Sequence, residues 1–177
     1  MMKALMLSLL LALSCTAHAA GQWVGKPAPT LQLQDQDGRL RSLSEFRGRW
    51  VALYFYPKDR TPGCTEEAKR FRDRWADFRK ANVAVIGVSV DDVASHRDFA
   101  SRLKLPYPLL ADVKHELARA MGVLRGIGPL SHAARETFLI DPEGTIVYHY
   151  PEVDTGRHAE QVLADVGRLS ATLSSRP

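Results

Sequence analysis

Cysteine is what this 177-residue sequence has least of: there are two, Cys15 and Cys64. That excludes a small fold stapled by several disulfides and a cysteine-rich zinc site, each of which needs thiols in sets. The six histidines, His18, His96, His115, His132, His149 and His158, show no paired helical spacing and no companion cysteines, so no metal site is expected. Charge of one sign is also scarce. Lys and Arg (24) and Asp and Glu (20) are interspersed, with a formal net charge of +4, so no basic block of the kind that tracks nucleic acid is present. The glycines of the stretch Gly122 to Gly128 lack the strand, turn and helix of a phosphate loop, and no cofactor is expected there. With 45% hydrophobic and 25% charged residues, disorder and collagen-like classes are excluded, and one globular domain with a substantial core is implied.

Long apolar runs are confined to the start. Lys3 precedes the run Ala4 to Leu13, and Ala17-His18-Ala19 follows as a small-x-small cleavage signal. The run is too short for a comfortable permanent anchor, so no stable membrane insertion is expected after cleavage. Residues 1–19 are read as a signal peptide, 20–170 as the domain and 171–177 as a flexible C-terminal tail, with a periplasmic or secreted destination. The alternative is a lipoprotein anchored at Cys15, but Ala12-Leu13-Ser14 fits that recognition pattern poorly. Cleavage after Ala19 leaves Cys64 as the sole cysteine, in a compartment that promotes disulfides. An unpaired thiol there needs a reason.

Hydrophobic patterning supplies the elements. Leu31 to Gln34 alternates like a half-buried strand, Asp35 to Gly38 reads as a turn, and Ser42 to Phe46 as a short helical turn ended at Gly48. Trp50 to Tyr56 and Val83 to Val90 are continuously apolar and predict strands buried on both faces. Between them one amphipathic helix is predicted, carrying Ala68, Phe71, Trp75 and Phe78 on a single stripe and stopping near Asn82. Asp91-Asp92 begins a helix over about Val93 to Leu103, followed by a short strand at Leu109-Leu110 and a helix over Lys114 to Met121. Gly122 to Ala134 reads as loop. Glu136 to Ile140 and Thr145 to Tyr150 flank Asp141-Pro-Glu-Gly144 as an antiparallel hairpin, and a last helix runs from about Gly156 to Leu169. The expected class is α/β, a central mixed sheet with helices on both faces.

At the change from the first buried strand to its helix, Thr61 suits an N-cap, Pro62 the first helical position, and Cys64 the first turn. Unpaired N–H groups and the helix dipole there favour a thiolate, although cysteine also serves as an ordinary core residue.

The run Phe55-Tyr-Pro-Lys-Asp-Arg-Thr-Pro-Gly-Cys-Thr-Glu-Glu-Ala68, continuing to Phe71-Arg-Asp73, resembles the peroxidatic segment of the peroxiredoxins, specifically the bacterioferritin-comigratory-protein or PrxQ subgroup of the AhpC/TSA superfamily. Gly25 to Pro29, the Asp35 turn and Arg135-Glu-Thr-Phe-Leu-Ile-Asp141 resemble it too, in order and spacing. The resemblance implies a thioredoxin-like fold and reduction of hydrogen peroxide and organic hydroperoxides. It implies Cys64 as nucleophile, Thr61 bonding sulfur and peroxide, Gly63 and Cys64 N–H groups holding the oxygens, Pro57 shielding the sulfur, and Arg135 supplying a cation. Glu67 matches the subgroup as a candidate substrate-binding residue, although a glutamate in this turn also stabilises a helix in any fold.

Where many members of the subgroup carry a resolving cysteine, this chain has Lys69. A one-cysteine cycle with an external thiol reductant is therefore expected, from a thioredoxin-like protein, a glutaredoxin or a low-molecular-weight thiol, with the chain a monomer or homodimer. Lys58, Arg60, Lys69 and Arg70 are read as solvated charges that help attract an anionic thiol. Two other functions compete: thioredoxin-like thiol–disulfide exchange, which predicts a cysteine where Thr61 stands, and a non-catalytic binding or chaperone domain.

Overall fold

The computed structural model describes residues 22–30 and 32–174; residues 1–21 with Cys15, Leu31, and 175–177 lie outside the described residues. β1 (Gln32–Asp35) alternates exposed and buried positions, and the Asp35 carboxylate accepts the backbone N–H groups of Asp37 and Arg39 at 2.9 and 3.0 Å. That turn returns the chain as β2 (Leu40–Ser42), antiparallel to β1. A 3₁₀ turn over Leu43–Phe46 follows. Ser42 and Glu45 close a capping box around its start.

β3 (Trp50–Phe55) and β4 (Val83–Ser89) are buried at every position and pair in parallel, with α1 (Pro62–Asp73) and α2 (Trp75–Lys80) between them. α3 (Val93–Leu103) leads to β5 (Leu109–Ala111), parallel to β4 and antiparallel to β1. After α4 (Glu116–Ala120), β6 (Leu124–Arg125) and β7 (His132–Ala133) form a separate two-stranded hairpin. β8 (Glu136–Ile140) and β9 (Ile146–Tyr150) complete the main sheet, and α5 (His158–Ser174) closes the described chain. The sheet order is β2-β1-β5-β4-β3-β8-β9. It is the mixed sheet expected, parallel at β3, β4 and β5 and antiparallel at both sides.

The two-residue period of β3 divides the core. Trp50, Ala52, Tyr54 and Tyr56 face α1, α2, α3 and α5, whereas Val51, Leu53 and Phe55 face Phe46, Leu117 and Met121. On the first face the Tyr54 ring stacks on Phe71 at 4.8 Å between centroids and meets Tyr107 edge-on at 6.2 Å. Tyr107 then donates to the Ala68 carbonyl at 2.9 Å, so aromatic side chains of the sheet side fix the height of α1. Gly87 makes this possible: a Cβ there would sit 2.8 Å from the Tyr54 ring and 2.6 Å from Leu109.

Three elements differ from the sequence reading. The single helix expected after Thr61 is stepped at Arg74, with φ −96° and ψ 11°, into α1 and α2. The apolar spacing runs on across the step, so periodicity could not reveal it. The loop Gly122 to Ala134 contains the β6–β7 hairpin, too short to carry a strand period. Finally, α5 continues past Leu169 to Ser174, so residues 171–174 are helical. No Gly or Pro interrupts that stretch, and the Thr172 hydroxyl bonds back one turn to Arg168 O at 3.1 Å.

Candidate active site

β3 ends against the N-terminus of α1, and the connection is a tightly held loop. Its Asp59 is 4% exposed and accepts hydrogen bonds from the Tyr56 hydroxyl (2.7 Å) and the Ser95 hydroxyl (2.7 Å). The Asp59 backbone N–H donates to Asp91 at 2.9 Å. Arg60 is left-handed, φ 64°, a conformation that costs a non-glycine residue on the order of 1 kcal/mol and persists only where neighbours hold it. Pro62 occupies the first turn of α1, and the earliest main-chain bond of the helix runs from Thr65 N–H to Thr61 O at 2.9 Å. The N–H groups of Gly63 and Cys64 therefore have no carbonyl of the preceding turn to bond. Cys64 lies at this end, 1% exposed, and is the free cysteine among the described residues.

Arg135, just ahead of β8, reaches the same turn from the other side of β3. Its Nη2 donates to Cys64 Sγ at 3.2 Å and its Nη1 donates to Glu67 Oε2. Both acceptors belong to α1, one helical turn apart. Gly63 leaves the guanidinium its path: a Cβ there would lie 3.3 Å from Arg135 Nη2. A cation held against sulfur stabilises negative charge on it and on any oxygen that approaches it, which is what a thiol needs in order to act as a nucleophile.

Glu67 is completely buried, with Oε2 on Arg135 and Oε1 without a partner. Burial pushes its carboxyl up to about 7, and the charge and hydrogen bond of Arg135 offset this only in part because half of the carboxylate is unsatisfied. Burial also works against the charge on Arg135, but Glu67 and Cys64 outweigh it and hold the guanidinium above its ordinary value. An ordinary glutamate ionises near 4.5. Between that value and about 7 the folded chain keeps a proton that the unfolded chain has released, so this group makes stability fall as pH rises through the window. Glu67→Gln is expected to flatten that slope, by at most about 3 kcal/mol across it, in urea titrations compared at pH 5 and pH 8. The same titration should appear in the reactivity of Cys64 towards an oxidant. As pH falls through 7, the charge-assisted anchor of Arg135 becomes neutral and the rate drops; in Glu67→Gln this step vanishes and the rate stays at the lower level.

The AhpC/TSA family model matches residues 24–149, spanning the loop, Cys64 and Arg135. The chain belongs to the AhpC/TSA family, the peroxiredoxins. It is 42% identical over 150 residues to a putative peroxiredoxin bcp of Coxiella burnetii, covering 82% of this chain and 97% of that one. Peroxiredoxin Q, chloroplastic, of Oryza sativa subsp. japonica is 46% identical over 127 residues, 71% of this chain, and the chain spans only 58% of that relative's length. Among solved structures, peroxidoxin BcpB of Mycobacterium tuberculosis superposes with a TM-score of 0.77 at 34% identity, over 82% of this chain and 96% of that one. Peroxiredoxin Q of Xanthomonas campestris gives 0.75 at 36% identity, over 82% and 96%. The thioredoxin-like fold expected from the sequence is the one these peroxiredoxin structures share.

Of the residues that the peroxiredoxin resemblance singled out, Cys64, Gly63, Glu67 and Arg135 come together. Thr61 departs from expectation. Its backbone is extended and serves as the cap, but its side chain makes no capping bond, and its hydroxyl donates to Lys58 O at 3.0 Å instead of to the sulfur. The hydroxyl hydrogen is thereby committed, and only oxygen lone pairs remain on offer. Pro57 is half-buried and lines a groove with Lys58, Val90, Val113 and His132. Lys69 is exposed on α1 and, with Arg60, Gly63 and Arg70, borders an open groove of about 700 Å³ that begins at the first turn.

Sequence reasoning missed Asp59, Asp91 and His96. Of the pair read as a helix start, Asp92 does cap α3, accepting Ser95 N–H at 2.8 Å, whereas Asp91 holds the loop backbone at Asp59 and accepts the Ser89 hydroxyl at 2.7 Å. The spacing of His96 to the other histidines carries no information about its role. Its partner is far away in the chain, and the one available signal was a charged residue, Asp59, inside a segment the fold must bury.

Proposed function

We propose that this protein is a thiol-dependent peroxidase that reduces hydrogen peroxide and organic hydroperoxides through Cys64 alone. The observation that carries the reading is the guanidinium of Arg135, which bonds the Cys64 sulfur and the buried Glu67 together. The Cys64 thiolate attacks one oxygen of ROOH, forming an S–O bond as the O–O bond breaks; the departing RO⁻ takes a proton and leaves as ROH, with sulfur as sulfenic acid. Arg135 and the free N–H groups of Gly63 and Cys64 stabilise the charge that builds on oxygen. Thr61, with its own hydrogen on Lys58 O, accepts from the peroxide O–H and orients it. Pro57, two residues past the end of β3, helps keep water from the sulfur.

The cycle closes through an external thiol. It displaces water from the sulfenic acid to form a mixed disulfide, and a second thiol releases Cys64 and leaves as the oxidised partner. Lys69 at the position of the subgroup's resolving cysteine, and Cys64 as the free cysteine of the described residues, support this cycle. The reductant is a thioredoxin-like protein, a glutaredoxin or a small thiol, and the leader pattern of residues 1–19 supports action in the cell envelope as an antioxidant.

Intact-mass analysis of the protein lacking residues 1–19, after one equivalent of peroxide without reductant, tests the cycle. A gain of one oxygen, then a second with excess peroxide, is expected. An unchanged mass, or a disulfide-linked dimer through Cys64 in place of the oxygen adduct, would refute the one-cysteine cycle.

A further inference from the structure

His96, on α3, has no solvent exposure, and each of its ring nitrogens faces an acceptor: Nδ1 is 2.9 Å from Asp59 Oδ2, and Nε2 is 3.2 Å from Leu110 O. The Tyr56 hydroxyl is also 3.4 Å from Nδ1, but its hydrogen goes to Asp59 Oδ1 at 2.7 Å, so it too presents lone pairs to the ring. A neutral imidazole has one N–H and one lone pair, and in this cage either tautomer would set that lone pair against an oxygen lone pair. A doubly protonated ring satisfies every contact. Asp59 accepts the Tyr56 hydroxyl on one oxygen and the Ser95 hydroxyl on the other, as an ionised carboxyl does; burial pushes it up, but its bonds to His96, Ser95 and Tyr56 hold it below the usual range. Asp91 lies next in the network, bonded to the Asp59 backbone, and the nearby cation Arg60 is engaged by Asp98 at 3.2 Å.

We propose that His96 is a positioning residue for the peroxidase reaction: its ring, with both nitrogens protonated and each bonded to an oxygen, clamps the loop ahead of Cys64 to β5 and α3. The inference rests on the peroxidase reading above. The loop has to be held because Arg60 is left-handed, and its exposed pair with Asp98 is too weakly coupled to hold it. Asp59 is the residue the clamp grips, immediately before Arg60 and the start of α1. Cys64 reaches the site from this loop, while Arg135 reaches it from the start of β8. The 3.2 Å contact between Arg135 and sulfur therefore depends on where the clamp sets the first turn of α1. A charged ring does this better than a neutral one, since both of its bonds go to oxygen and one is an ion pair shielded from water.

Two measurements test this. In ¹⁵N-histidine-labelled reduced protein at pH 7, the His96 ring is expected to show both nitrogens protonated; one unprotonated nitrogen would overturn the proposal whatever any variant does. In stopped-flow assays His96→Gln and Asp59→Asn are each expected to slow the reaction of Cys64 with hydrogen peroxide about ten- to hundredfold, with the double variant no slower than the worse single one. A His96→Gln rate equal to the parent's would overturn the positioning role. If the variants fail to fold, the ring nitrogens of the parent still decide. An unsubstituted protein that does not react with peroxide would refute the peroxidase reading instead, leaving the ring charge measurable.

Discussion

Cys64→Ser is expected to abolish thiol-dependent consumption of hydrogen peroxide while the fold persists. A serine hydroxyl at the same place stays un-ionised at neutral pH, and Arg135 cannot make it a nucleophile comparable with sulfur. Structurally the change is small. Cys64 accepts one hydrogen bond, from Arg135, which a serine oxygen also accepts, and it is buried beside Ala68 and Phe71 on a face whose stability comes from aromatic packing. Thermal unfolding should therefore shift by no more than about 1–2 kcal/mol in stability. Peroxide loss followed in the presence of added thiol decides the matter, and consumption by the variant at the parent's rate would remove Cys64 from the mechanism.

Arg135→Ala should have the next largest effect, slowing peroxide attack by about 10²–10³, the usual consequence of removing one preorganised donor from a developing oxyanion. The side chain has two duties, so the loss has two components. Without the guanidinium the sulfur loses its 3.2 Å cationic donor, and the buried Glu67 loses its one partner and takes up a proton. Adding Glu67→Gln separates them: if the missing cation at sulfur is what matters, the double variant remains as slow as Arg135→Ala. Recovery of the rate in the double variant would mean that the orphaned Glu67 side chain was the damage. Arg135→Lys should fall between, because an ammonium retains charge but lacks the planar fork that spans Glu67 and Cys64. Stopped-flow rates for all three variants, with circular dichroism to check the fold, test the ordering.

Much of this site was legible in the chain. Cys64 in a first turn follows from Thr61-Pro62-Gly63 after an apolar strand, and β3 and β4 announce themselves by having no polar alternation. The resemblance to peroxiredoxins brought in Arg135, which local patterning presents only as a charge before a strand. The role of Thr61 was less accessible, since a threonine hydroxyl has several acceptors within reach and Lys58 O claims it. The step at Arg74 escaped because the apolar spacing runs on across it, and the β6–β7 hairpin because strands of two residues show no alternation.

The sequence by itself determined the order of the main elements, which strands lie at the centre, and that Cys64 stands in the first turn of a helix. These are local properties: hydrophobic period, capping and residue type at a given spacing. Only the tertiary structure decided that Arg135 bridges Cys64 and Glu67, that Glu67 is buried with one oxygen unpaired, and that His96 holds Asp59 from another helix. Each joins residues distant in sequence, and the strength of each depends on exclusion of water. Burial is set by how strands and helices close over one another, which no single stretch of the chain records.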